Sequence, residues 1–280
     1  MIPEKTMFQA SLLPMKDRMA WTVKMDLSLA GEVKDFEIYK SVVRSKFRLN
    51  QKQVIQTIDS NADAISKILK AMVQTSEKLK DVRLDQGGLT NFNDENSGYQ
   101  LVQEFMLLAN RCVAEYCIVN KIPVPYRHHA FPNGSEDFRS KYNIGQHDMQ
   151  DALIPFLGKA LYSAEATSHE ALGFDAYCHF TSPIRRYADL LLQRQLSIHT
   201  NMQTPKNTDE VKTIINQLNI SAKEADSQQG KMIYLEVLKK QFDQIGKKIE
   251  GVVIEINDTK MIIKPNDSKC SFNIEVEPNA

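Results

Sequence analysis

The hydrophobic period changes twice along this chain, and that change limits the fold more than any other feature. From Trp21 to Arg44 apolar residues alternate, through Trp21, Val23, Met25 and Leu27, then Phe36, Ile38 and Tyr39, then Val42 and Val43. Ala30-Gly31 divides the run, so an antiparallel hairpin is predicted. From Asn50 to Leu79 the spacing becomes helical, with Val54, Ile55, Ile58, Ala62, Ile65, Ile68, Leu69 and Met72 on one face. Tyr99 to Val119 predicts another helix, its apolar face made by Leu101, Val102, Phe105, Met106, Leu108, Ala109 and Val113, and Ile122-Pro123-Val124-Pro125 ends it. Helical spacing returns at about 148–162, from Pro183 to His199 and over 208–243, whereas 249–256, 260–264 and 271–276 read as short strands. Residues 1–19, broken by Pro3 and Pro14, read as irregular, and 126–146 as a loop with short helical pieces. The expected class is α+β: an antiparallel sheet, a mostly helical second half and a small β appendix.

Composition narrows the function classes. With 35 basic and 35 acidic side chains the net charge is zero, so no global field recruits nucleic acid or membrane, and any RNA site must be a local basic groove. The four cysteines, Cys112, Cys117, Cys178 and Cys270, form no CxxC pair and support neither a disulfide framework nor a thiolate metal site. No apolar run approaches the ~18 residues of a membrane span, and the N-terminus lacks a signal-peptide core. A cytoplasmic chain with no membrane partner is expected.

The run Tyr177-Cys178-His179-Phe180-Thr181-Ser182-Pro183-Ile184-Arg185-Arg186-Tyr187-Ala188-Asp189-Leu190 carries the strongest chemical signal. Thr181 or Ser182 suits a helix N-cap and Pro183 the first helical position, which predicts a helix from Pro183. Two arginines would then lie in the first turn, against the helix dipole, unless a bound anion favours them. An arginine pair bridging to nearby carboxylates explains the same spacing, and spacing alone does not choose.

This run resembles the signature of the ribonuclease II/ribonuclease R family, the RNB-domain exoribonucleases, nearly completely and over about a dozen residues. A second match lies at Leu101-Val102-Gln103-Glu104-Phe105-Met106-Leu107-Leu108-Ala109-Asn110, similar to the family's Glu-x-Met-x-x-Ala-Asn helix. Ser11-Leu12-Leu13-Pro14, Asp17-Arg18, Lys159-Ala160-Leu161-Tyr162 and Gly173 also resemble it. The likeness covers most of residues 1 to about 245.

What the resemblance implies is hydrolysis of single-stranded RNA from the 3′ end, releasing nucleoside 5′-monophosphates with Mg²⁺. It implies that Arg185 lies against the scissile phosphate and that Glu104 faces the active site, these two being the expected catalytic residues. Arg186, His179, Thr181, Ser182 and Tyr187 would hold the RNA backbone. The basic run Lys40, Arg44, Lys46, Arg48 and Lys52 is a candidate phosphate track, or else a solvated strand end. Phe92, near Gly87-Gly88, is the candidate for stacking on a base.

The chain also departs from the family. Gln51 stands where relatives have Tyr, Gln193 where they have His, and Gln103 where a second Glu is frequent. The family's metal-binding Asp cluster falls upstream of the matched segment. Asp148 and Asp151, or Asp94 and Glu95, do not replace it, so Mg²⁺ is implied by the family and its ligands are not expected here. Activity would then need a longer parent or a partner polypeptide carrying that front half. The alternative is a catalytically inactive RNA-binding protein, or a subunit of an RNA-decay assembly. The expected organisation is an RNB-like domain over 1–245 and a partial OB-like, RNA-binding β segment over 246–280, too short for a full barrel.

Overall fold

The computed structural model describes residues 3–60, 64–89, 97–130, 158–242, 250–256, 260–265 and 272–275. Two compact units result, Met1–Leu218 and Asn219–Ala280.

The predicted hairpin is present as β1 (Asp17–Leu27) and β2 (Val33–Arg44), antiparallel from Asp17 opposite Arg44 to Leu27 opposite Val33. Gly31 turns the tip with φ +92°, and a Cβ there would lie 3.1 Å from the Lys78 backbone, so glycine is required for the tip to sit on the next helices. Lys78 Nζ donates to the Leu29 carbonyl at 2.8 Å and fastens it. The half of the hairpin nearest the tip buries Val23, Met25, Leu27, Val33 and Phe36 against Leu79, Leu108 and Cys112.

Those partners come from α3 (Ala64–Asp85) and α4 (Ser97–Val119), preceded by α2 (Gln51–Ser60). Asn50 and Gln53 exchange side-chain and backbone bonds at 2.8 and 3.0 Å and start α2 as a reciprocal cap. Helix α3 ends in a Schellman turn: Gly87, at φ +86°, donates to Leu84 O, and Gly88 donates to Arg83 O. In α4 the inward face is Leu101, Leu107, Leu108, Cys112 and Val113, and Val102, assigned to that face from its spacing, is exposed. Ile68 of α3 likewise points outward.

Short strands β3 (Tyr126–His128) and β4 (Leu161–Ser163) pair antiparallel behind α4. The main core joins Val113, Ala114 and Cys117 of α4 with Ile122, Val124, Tyr126, Cys178 and Phe180, and with Leu192 and Leu196 of α5 (Tyr187–Thr200). Helix α6 (Thr208–Phe242) begins with another reciprocal cap, between Asn207 and Glu210. The second unit carries β5 (Gly251–Ile256), β6 (Lys260–Pro265) and β7 (Phe272–Glu275), an antiparallel meander in chain order. Hairpin, helices and small antiparallel sheets make the class α+β.

Three local expectations are corrected. The irregular reading of 1–19 fails at Glu4–Ala10, where α1 forms with Pro3 at its N-cap and Glu4 favourably placed in its first turn, and from Asp17, where β1 already starts; 11–16 between them are irregular as expected. Residues 161–163 are a strand rather than helix, because they pair with Tyr126–His128; the rest of the 148–162 expectation, to Leu157, lies outside the described residues. Helix α5 starts at Tyr187, not Pro183, for a reason that belongs to the site.

Candidate nucleic-acid interface

The segment 177–189 is tied down at both ends, and the ties leave one arginine unengaged. Asn110, fully buried in the middle of α4, holds the first end: its Nδ2 donates to the Tyr177 hydroxyl at 2.8 Å and its Oδ1 accepts the Phe180 N–H at 3.1 Å. Its carbonyl accepts the Cys178 thiol at 3.3 Å, and Gln193 Nε2 donates to the Phe180 carbonyl at 2.9 Å. Thus the Asn of the second sequence match and the departure Gln193 both position the first.

Asp189, fully buried in the first turn of α5, holds the other end. Its Oδ1 accepts the Ser182 N–H at 2.7 Å and Arg186 Nη2 at 2.9 Å, and its Oδ2 accepts Arg186 Nε at 2.8 Å. Arg186 has extended backbone (φ −125°, ψ 121°), so no helix runs through it, and the N–H groups of Arg185 and Arg186 bond back to Ser182 O in a turn. Ser182 and Pro183 therefore shape a turn and do not cap α5. The carboxylate explanation for the pair holds for Arg186; Arg185 is exposed, and among the described residues no carboxylate is recorded as its ion-pair partner. It lines a cavity of about 590 Å³ with Leu12, Met19, Trp21, Phe180 and Ile184.

His179 is half-buried, and its Nδ1 lies 2.8 Å from the Tyr162 hydroxyl. Burial, and then the nearby positive charge of Arg186 and Arg127, push its pKa down to about 3. Burial raises the Tyr162 pKa, so the hydroxyl keeps its proton, and the imidazole tautomer sets which of the two groups donates. Arg127 lies 4.7 Å over the Tyr162 ring, extending the cationic neighbourhood. His169 is also held to about 3, by burial and then His129.

The two residues expected to be catalytic lie in different cavities. Glu104 is 2% exposed and accepts Arg83 Nε at 3.0 Å and Nη2 at 2.7 Å, while Arg83 Nη1 holds the Leu89 carbonyl at 2.7 Å. This pair lines a cavity of about 530 Å³ with hairpin-tip residues Gly31 to Phe36, and Arg185 does not reach it. Of the remaining candidates, Thr181 and Tyr187 are exposed near Arg185. Lys40 lies over Trp21, its register partner, at 5.5 Å from the ring centroid. Arg44 is spent on Asp17, with Nη2 to Oδ2 at 2.7 Å, and its guanidinium holds the Asp17 carboxyl below the usual carboxylate range. Lys46 and Arg48 are exposed, and Phe92 lies outside the described residues.

Sequence reasoning did not single out Arg83, Asn110 or Asp189 as site residues. Asn110 and Asp189 sit inside the quoted motifs, and their short polar side chains on otherwise apolar helix faces were the available signal. Among the described residues, no three His, Cys, Asp or Glu side chains converge on a point that could hold a metal ion. The two buried carboxylates, Glu104 and Asp189, give both oxygens to an arginine. The described residues therefore do not fit a divalent cation.

The sequence model of the RNB domain matches residues 1–202. Ribonuclease R of Chlamydia pneumoniae is 29% identical over 235 residues, which covers 66% of this chain and 35% of that protein. The chain thus spans about a third of the length of that curated relative. Mycoplasma genitalium RNase R, solved in complex with ribose-methylated single-stranded RNA, superposes with a TM-score of 0.80 at 23% identity, covering 94% of this chain and 50% of that one. Yeast Ssd1, described as a pseudonuclease, superposes with a TM-score of 0.78 at 17% identity, covering 98% and 41%. These two likenesses carry the fold alone. With 202 of its 280 residues matched by the family model, the chain belongs to the RNB-domain family.

Proposed function

We propose that this chain supplies the RNA-gripping part of an RNB-family 3′→5′ exoribonuclease, the hydrolysis that releases nucleoside 5′-monophosphates. The observation that carries the reading is Arg185: an exposed guanidinium on a turn locked by Asn110 and Asp189, beside a cavity wide enough for a nucleotide. A preorganised cation of this kind binds a phosphate and stabilises charge that develops on it. Arg186 and Asp189 act as positioning residues that hold the turn, and His179 and Tyr162 brace it from behind. Thr181, Ser182 and Tyr187 offer hydroxyls beside the phosphate, and Lys40, Lys46 and Arg48 extend a basic track. Glu104, committed to Arg83, acts through the packing of α3 on α4.

Mg²⁺ is what the family would use to activate water and stabilise the leaving oxygen. In this reading its carboxylates come from outside the described residues, in a longer chain or on a second polypeptide. Residues up to about 245 then form the RNB-like domain, and the β5–β7 meander is a partial OB-like RNA-binding segment.

A second reading is an RNA-binding protein without catalysis, favoured by the poor fit of a divalent cation among the described residues and by Gln51 and Gln193. A gel assay on 5′-labelled unstructured RNA with Mg²⁺ separates the two. Shortening from the 3′ end, abolished by EDTA and by Arg185→Ala, supports the nuclease. Salt-sensitive binding without cleavage by folded protein supports the binding reading.

A further inference from the structure

We infer that α6 carries a built-in joint at Ser227–Gly230, where the helix opens locally and the β5–β7 meander moves as a body separate from the first unit. The inference is independent of the RNA-gripping reading. Helix α6 runs from Thr208 to Phe242 and crosses the division between the units at Leu218 and Asn219. Its first turns are anchored, because Val211 and Ile215 are only 0% and 4% exposed. Every residue from Lys223 to Ile233 is exposed. A helix in a protein owes most of its stability to a packed apolar face, so these exposed turns are left with intrinsic propensity alone.

That propensity is poor at Asp226-Ser227-Gln228-Gln229-Gly230. The five residues hold no apolar side chain, Asp and Ser compete with the helix for its backbone bonds, and glycine ranks below every residue but proline. Good helix formers bound the stretch on both sides, Ala222-Lys223-Glu224-Ala225 before it and Lys231-Met232 after it. Gly230 is the sole glycine of α6, and a Cβ built there meets nothing within 4 Å. Packing therefore does not demand its small size. By contrast, a Cβ at Gly88 would lie 2.8 Å from two backbone carbonyls, those of Arg83 and Leu172. What glycine does at 230 is loosen the helix, favouring the open state over that of an alanine helix by about fivefold. Bends in helices concentrate at such Gly and Ser positions, and a few freed backbone torsions between ordered turns suffice for a hinge.

Hydrogen exchange on the full chain and on Gly230→Ala, corrected for the intrinsic rates of the two residues, tests the joint. Amides at 226–231 should exchange faster than those at 211–218 and faster than those at 232–238. The substitution, which meets no steric obstacle, should slow 226–231 by about fivefold and leave 211–218 unchanged. Trypsin under native conditions should cut first after Lys231, more slowly in the variant. Amide nitrogen relaxation should give β5–β7 a shorter correlation time than α5. Exchange equally slow through 211–238 would overturn the inference, since the helix would then be rigid throughout. Equally fast exchange from 219 to 242 would also overturn it, because the whole distal helix would fray rather than open at a joint. So would exchange at 226–231 that ignores Gly230→Ala, or a single correlation time for β5–β7 and α5.

Discussion

Asn110 and Tyr177 stand 67 positions apart in sequence and meet in a buried hydrogen bond of 2.8 Å. Through this contact, and through the Phe180 N–H and the Cys178 thiol, one helix residue fixes the start of the loop that presents Arg185. Asn110→Ala leaves the Phe180 N–H and the Tyr177 hydroxyl buried without these partners, at a cost of about 2–4 kcal/mol. Urea denaturation measures it. A cycle with Tyr177→Phe should return a coupling near 1 kcal/mol, since that partner alone accounts for one of the bonds.

The Arg83–Glu104 pair, each 2% exposed, predicts an asymmetry between single and double substitutions. Glu104→Ala strands a buried guanidinium and should cost about 3–5 kcal/mol. The double variant Arg83→Met, Glu104→Leu removes both charges and should recover most of that loss, although Arg83 also gives up its bond to the Leu89 carbonyl. Equal instability of the single and double variants in urea would argue against a fully desolvated pair.

Stability should also depend on pH through the histidines. His169 and His179 are held near 3 against an ordinary 6.5, so between these values the unfolded chain binds protons that the folded chain refuses. Their contribution is complete above about pH 6.5 and is lost as pH falls toward 3, at about 1.4 kcal/mol per pH unit for each histidine. Asp17 and Glu210, whose folded values are also lowered, act in the same direction at lower pH. Measurements between about pH 5 and 6 therefore isolate the histidines, and His179→Phe should roughly halve the slope there.

Long amphipathic segments were legible in the sequence because their periodicity is itself the reason they fold. The hairpin at 17–44 and the helix at 97–119 follow directly from it. The start of α5 was not legible, because a side chain seven positions later decides it: the Asp189 carboxylate captures the Ser182 N–H and pulls Arg186 out of helical geometry. Local propensity favours Pro183 as a first helical residue, and this longer-range bond overrides it. The functional motif was legible as a string of residues. The division of its arginines into one locked and one exposed was not, because it depends on Asp189 being buried and Arg185 not. Arg83 was hidden for the same reason: its partner lies 21 positions away on another helix.

The central claim is that Arg185 grips RNA phosphate, and the salt dependence of RNA binding tests it most directly. Anisotropy titrations of unstructured RNA with the wild-type chain and with Arg185→Ala, across a series of salt concentrations, give the slope of log K against log[salt]. Loss of one phosphate contact to a single strand should flatten that slope by about 0.7 and weaken binding at low salt. Because Arg185 is exposed on an anchored turn, the variant should unfold at the wild-type urea midpoint. An unchanged affinity and slope in a folded Arg185→Ala chain would contradict the account.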